Sequence, residues 1–311
     1  MSGTAGSPGD GVRRDVSDAI EALLGRLGNG PVFVHSDPFR AARLVPRARS
    51  RDALLDSHLA LIADASAGRP IWMPAFNYDF PRTKTFNVAA DPSQVGPISE
   101  QFRVSASEWR TGIPIFSATG TGAAPSTIWG EGVDPFNTES LFARLVEADG
   151  TILYYGDTFH YNTIVHYAER GAGGPPYRYD KLFGGTVITP NGAQLEGSLK
   201  YHVRPLGMGL DYDWPGILGR AVACGACVRL EGYPEILAAR AATLTDFLVE
   251  EMTTDPLRLL DHETRRWVEP ALQQLGRRFV MDDFEGPNAA LSIARDKQVA
   301  ATSSQLEAAT E

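Results

Sequence analysis

Gly156-Asp157-Thr158-Phe159-His160-Tyr161-Asn162-Thr163-Ile164-Val165-His166-Tyr167-Ala168-Glu169 is the stretch whose reading decides the rest. The apolar run Thr151-Ile152-Leu153-Tyr154-Tyr155 before it reads as a buried strand, and Gly156-Asp157 as a turn. Asn162 or Thr163 can then cap a helix carrying His166 and Glu169 on one face, three residues apart. A strand, a tight turn and a helix bearing an imidazole and a carboxylate is one way an α/β enzyme presents a general base. Imidazole titrates near neutrality, and a carboxylate can hold it in one tautomer. Taken alone, His-x-x-Glu on a helix is more often a surface pair.

Upstream of this stretch, the residues from Asp15 to Leu27 place apolar side chains at helical spacing, and Gly28-Asn29-Gly30 stops the helix. Val32-Phe33-Val34 is a short buried strand ending at His35-Ser36-Asp37. Polar residues at such an end either line a site in an open α/β sheet or simply make the turn. A helix over 51–67 and a strand at Ile71-Trp72-Met73-Pro74 follow. Residues 76–97 show no period and read as a long, function-bearing loop. Residues 98–104 form a short helix, and Ile113 to Ser117 a strand that opens into a small-residue loop over 118–125. Residues 138–147 form a helix capped by Asn137 or Thr138. This alternation argues for a layered α/β domain.

Past Gly174 the texture changes. Antiparallel strands are expected at 186–188, 192–198 and 201–203, with turns at Asn191-Gly192 and near Gly197. A helix over 213–223 and a strand over 228–230 come next. Pro234 to Met252 reads as a long amphipathic helix with proline at its first position, and residues 256–266 as further helix. The expected fold class is a layered α/β/α sandwich around a mixed sheet, with an additional antiparallel β segment in the C-terminal half. The expected organisation is a disordered N-terminus (1–14), one domain (15–285) and a polar mobile tail (286–311).

At 311 residues, with 43% apolar and 22% charged residues, the composition is that of an ordinary globular chain. No apolar run is long enough to span a bilayer, and Met1 to Asp10 lacks the apolar core of a secretory signal, so the cytoplasm is expected and a membrane is not. A net charge of −9 argues against nucleic acid as a partner. Cys224 and Cys227 are too few for a four-thiolate zinc site and read as two buried thiols.

Several stretches, in order, resemble the aminoglycoside 3-N-acetyltransferase family. They are Val34-His35-Ser36; Met73-Pro74; Thr85-Phe86 followed by Asp91-Pro92-Ser93; and Gly96-Pro97-Ile98-Ser99-Glu100-Gln101-Phe102-Arg103. Arg110, Pro114, Ser117 and Gly120 follow, and then Thr163-Ile164-Val165-His166-Tyr167-Ala168-Glu169. The resemblance covers roughly residues 15–260. It implies an acyltransferase that uses acetyl-CoA or another acyl-CoA, needs no metal, and acts on a primary amine of an aminoglycoside, amino sugar or related metabolite, in antibiotic resistance or biosynthesis. His166 would take a proton from the amine, Glu169 would orient or polarise the imidazole or help hold the amine, and Thr163, Ser36 and backbone N–H groups are candidate donors to the developing oxyanion.

On the same resemblance, His35, Ser36, Arg82, Lys84 and Arg103 are assigned to CoA, with Arg110, Arg178 and Lys181 as further phosphate candidates; the alternative for the basic residues is solvated surface or, for Arg103, a buried pair with Glu100 or another carboxylate. Asn77, Tyr78, Glu100 and Asp157 are assigned to the amine. Trp72, Trp109 and Trp129 shape a pocket or, for at least two of the three, the core. Ala75, Ile113, Asn137 and Leu141 depart from the family's pattern in the site-forming half and bear on which amine is accepted. The expected partners are a small-molecule amine and CoA, with a homodimer left open. Two other functions compete: a non-catalytic binding protein on the same scaffold, and a thioester hydrolase in which His166 activates water.

Overall fold

The structure, a computed structural model, describes residues 8–126, 128–205 and 207–285, with side chains from residue 14 onward. Residues 1–7 and the tail from 286 lie outside the described residues. Helix α1 spans Pro8–Leu27, so its first turns occupy positions that the sequence reading assigned to the disordered N-terminus. The chain continues through β1 (Val32–Ser36), α2 (Arg51–Ala65) and β2 (Ile71–Pro74). It then forms α3 (Phe80–Thr83), β3 (Thr85–Asn87), α4 (Pro97–Ser105), β4 (Trp109–Arg110) and β5 (Ala118–Gly120). Next come α5 (Leu141–Glu147), β6 (Thr151–Tyr155), α6 (Ile164–Gly171), β7 (Tyr179–Ile188) and β8 (Gln194–Val203). The last elements are α7 (Trp214–Ala223), β9 (Val228–Leu230), β10 (Tyr233–Arg240), α8 (Ala241–Thr254) and α9 (His262–Leu275).

Among the described residues, seven strands form the main sheet in the order β4-β5-β2-β1-β6-β10-β9. Strands β2, β1 and β6 run parallel, and β5 and β10 flank them antiparallel. The period-two alternation of strand side chains splits the core into two layers. Val32, Val34, Ile71, Met73, Leu153 and Tyr155 face one way, onto Val16, Ile20, Leu23 and Leu24 of α1 and onto α2. Phe33, Trp72, Ile152 and Tyr154 face the other way, onto α5, α6 and α8. Each buried aliphatic side chain in these layers contributes roughly 1.5–3 kcal/mol. The layered mixed-sheet expectation holds. No described helix is long and apolar enough to cross a membrane.

Several local expectations do not hold. Residues 234–240 are not helix: Ile236 to Ala239 are buried on both faces of β10, between β6 and β9. Leu, Ala and Glu favour a helix, but a central slot in the sheet overrides propensity, and the helix starts only at Ala241. The strand expected at Ile113 to Ser117 lies one step later, at β5. Ile115 sits at φ 65° and bridges Asn77, which breaks the ladder there. The cap of α5 is Ser140, whose hydroxyl accepts the Ala143 N–H at 3.2 Å; Asn137 and Thr138 lie outside the helix. Gly197 is no turn: it pairs with Gly185 inside the β7–β8 hairpin, whose turn falls at residues 189–193 as Asn191-Gly192 suggested. The long loop contains β3, which pairs with β7 in a second, three-stranded sheet. Cys227 is buried but Cys224 is exposed.

Candidate active site

Strand β6 ends at Tyr155, and the next residue, Gly156, turns at φ 97°. A Cβ there would lie 2.4 Å from the Asp37 carbonyl, so only glycine lets this turn close against the end of β1. The two strand ends and the start of α6 thereby share one crevice of about 640 Å3. His35, Ser36, Phe76, Tyr78, Thr163 and His166 are among its lining residues. Thr163 caps α6 by position, but its hydroxyl donates to the Tyr161 carbonyl at 3.2 Å rather than to the helix. Asn162 is buried and accepts from the Tyr154 hydroxyl at 2.7 Å.

One turn into α6, His166 and Glu169 meet as the i, i+3 spacing requires: Nδ1 lies 2.8 Å from Glu169 Oε2. Glu169 is fully buried, and four side chains surround its carboxylate. Oε2 also takes His202 Nε2 at 2.8 Å, while Oε1 takes Arg178 Nε at 3.0 Å and the Tyr212 hydroxyl. Burial alone would push this carboxyl up. The Arg178 charge and the bonds from His166 and His202 outweigh it and hold the group ionised well below the usual carboxylate range. An ionised carboxylate accepts, so Nδ1 of His166 carries the proton and Nε2 the lone pair. Burial pulls His166 down to about 4 against the opposing pull of Glu169, so the ring is neutral at pH 7. The Tyr201 hydroxyl stands 3.3 Å from Nε2.

His35 stacks on Tyr154 with ring centroids 5.7 Å apart, and burial pulls it down to about 3, helped by the His160 charge. Its Nε2 and the Ser36 hydroxyl are buried without a hydrogen-bond partner. Both residues line the crevice, where a polar ligand could satisfy them. His166, Glu169 and His202 offer ligand atoms within 4.8 Å of one another. The Arg178 guanidinium, however, already supplies the positive charge that a cation would bring to that carboxylate.

Of the residues singled out from the sequence, His35, Ser36, Tyr78, Thr163 and His166 line the crevice, with Glu169 directly behind His166. The others stand outside the lining. Arg82 pairs with Asp79 at 3.0 Å, and Arg103 grips Glu100 through two bonds of 2.8 and 2.7 Å. Lys84 ends α3 in the left-handed conformation. Asn77 is buried and donates to the Pro92 carbonyl at 3.0 Å. Asp157 lies between Arg40 and Arg229, at 3.5 and 3.7 Å. Arg178 is no surface phosphate contact, being buried against Glu169, and Lys181 pairs with Glu285. Arg110 is held by the Ser117 hydroxyl and the Ala75 carbonyl. Trp72 and Trp129 are buried, and the tryptophan at the crevice is Trp214.

Sequence reasoning missed His202, Tyr201 and Tyr212, because they reach the dyad from β8 and a distant loop through tertiary contact alone. An arginine between two tyrosines, Tyr177-Arg178-Tyr179, was the one local sign of a buried charge.

The sequence profile of the aminoglycoside 3-N-acetyltransferase family matches residues 62–212. No curated protein gives a significant match. Among solved structures, one described as AAC-IIIb in a binary complex with CoASH superposes with a TM-score of 0.61 at 22% identity, over 78% of this chain and 96% of that one. Aminoglycoside acetyltransferase AAC(3)-Xa gives 0.59 at 18% identity, over 78% and 96%. The YokD protein from Bacillus subtilis gives 0.54 at 16% identity, over 78% and 99%. At these identities the superpositions speak for a shared fold.

Proposed function

We propose that this chain, whose residues 62–212 match the profile of the aminoglycoside 3-N-acetyltransferase family, transfers the acetyl group of acetyl-CoA to a primary amine of an aminoglycoside, amino sugar or related metabolite, with His166 as general base. The observation that carries the reading is the buried Glu169–His166 pair: the carboxylate fixes Nδ1–H, and the ring lines the crevice with its lone pair on the other nitrogen. Acetyl-CoA supplies an acyl group already activated on a thiol leaving group. The chain therefore has to align the partners, remove a proton and meet the developing negative charge.

An ammonium must lose one proton to water before it can attack. The amine's second proton passes to His166 Nε2 as the C–N bond forms and the C–S bond breaks. His166 then returns that proton to the departing thiolate, which leaves the base as it began. A ring held near 4 is a weak base toward a free ammonium, but it suffices once bond formation has made the amine N–H acidic. Glu169 stabilises the imidazolium of that moment, and Arg178 keeps Glu169 ionised throughout. His35 Nε2 and the Ser36 hydroxyl, buried and unpartnered, fit the carbonyl and amide groups of an acyl-pantetheine arm, and Thr163 is a further donor candidate. His35 and Ser36 are the cofactor contacts, and Tyr78 flanks the acceptor.

The test is thiol release from acetyl-CoA in the presence of an amine panel, comparing the wild type with His166→Ala. The variant is expected to fold normally and to lose roughly 100- to 10,000-fold in kcat, the span of a lost general base. Wild-type turnover in that variant would end the reading. Thiol release without any amine would favour hydrolysis instead.

A further inference from the structure

We propose that the acceptor is a primary amine bearing a single positive charge on a body that lays a flat apolar face against Phe39, Tyr78 and Tyr161, rather than a polycation. The inference rests on the acyl-transfer reading of this crevice and narrows its substrate class.

The first observation is the rim. Phe39, Tyr78 and Tyr161 are 83%, 53% and 56% exposed, and all three line the same crevice. They come from three separate segments, after β1, after β2 and after β6, and Trp214 lies beside them. Large aromatics left in water and converging on one mouth mark a binding surface for a flat apolar face, either an aryl ring or the C–H face of a sugar ring.

The second observation is charge. Each ammonium that a polycation brings out of water adds a desolvation cost that a counter-ion or hydrogen bonds must offset. Asp37 is the only carboxylate among the described lining residues. Its Oδ1 already accepts the Phe39 and Arg40 amides at 2.9 and 3.2 Å, and Arg40 Nε stands 3.7 Å from Oδ2. Asp79, Glu100 and Asp157, on segments that also contribute lining residues, are likewise engaged: Asp79 by Arg82, Glu100 by Arg103, and Asp157 by Arg40 and Arg229. Arg204, a lining residue, donates to the Leu210 carbonyl at 2.9 Å and forms no ion pair among the described residues. The chain's net charge of −9 is therefore not gathered here. A second ammonium would meet unpaired positive charge instead of a counter-ion.

The experiment compares kcat/KM for 2-phenylethylamine and glucosamine, each a single-amine ring compound, with that for neamine, a polyamine, using acetyl-CoA and thiol release. At least one single-amine compound is expected to exceed neamine by about tenfold or more. Phe39→Ala and Tyr161→Ala, both at exposed positions, are expected to raise KM for that acceptor by about fivefold and to leave KM for acetyl-CoA unchanged. A preference for neamine, or a KM effect that falls on acetyl-CoA instead, overturns the proposal and leaves acyl transfer standing. Absence of thiol release with every amine removes both.

Discussion

Replacing Arg178 by methionine isolates what holds the Glu169 carboxylate. Arg178 is 3% exposed and Glu169 fully buried; their atoms lie 3.0 Å apart, and the guanidinium also donates to the Tyr212 hydroxyl at 2.6 Å and to the His202 carbonyl at 3.2 Å. Methionine fills much of the same volume but removes the charge. Glu169 then keeps its bonds from His166, His202 and Tyr212 but loses its counter-ion in a dry site. Breaking a buried pair in this way costs about 3–5 kcal/mol. For a domain of this size that lowers Tm by roughly 6–20 °C. Part of the strain can be relieved by protonating Glu169, which weakens its hold on His166 Nδ1, so turnover falls as well. Adding Glu169→Gln removes the stranded charge: the double variant regains stability, by about 2 kcal/mol or more, without regaining turnover. Urea unfolding midpoints and thiol-release rates of the two single variants and the double variant make the measurement. An Arg178→Met protein that unfolds at the wild-type urea concentration, or a double variant no more stable than Arg178→Met, would refute the reasoning.

Acid should destabilise the protein before its carboxylates titrate. His35 is held down to about 3, and His58 and His166 to about 4, mainly by burial. These rings bind protons in the unfolded chain from about 6.5 downward but not in the native one. Their stabilisation is thus complete above 6.5 and lost as pH falls toward 4, or toward 3 for His35, each costing up to about 1.4 kcal/mol per pH unit; chemical denaturation across that window checks it. Gly156→Ala should lose at least about 2 kcal/mol together with activity, because it combines a left-handed φ of 97° with a Cβ 2.4 Å from the Asp37 carbonyl. Gly68→Ala, with φ 76° but nothing within 4 Å, should cost only about 1–2 kcal/mol and spare turnover; thermal melts and thiol release compare the two.

The parts of this fold that were legible in the sequence are those specified locally. Strands β1, β2 and β6 are short apolar runs closed by turn residues, and the i, i+3 spacing put His166 and Glu169 within reach of each other. Strand β10 was illegible because Pro234-Glu235-Ile236-Leu237-Ala238-Ala239 has helix-forming composition, and only the slot between β6 and β9 makes it a strand. The basic residues misled for a related reason. Sequence shows a guanidinium but seldom its partner: of the two readings open for Arg103, phosphate contact or pair with Glu100, the pair is the one that forms, whereas nothing local announced Glu169 beside Arg178. His202 joins the site through the pairing of β8 with β7, which no local pattern announces.

The central claim is that Glu169 holds His166 as the neutral ring protonated at Nδ1, with its unprotonated Nε2 able to accept a proton. Nuclear magnetic resonance of the protein with isotope-labelled histidine, titrated through the acid range, tests it most directly. The account predicts that His166 at pH 7 shows a protonated Nδ1 and an unprotonated Nε2, titrates near 4, and loses that tautomer preference in Glu169→Gln. An Nε2-protonated ring at pH 7, or a His166 that titrates near the ordinary 6.5, would contradict it.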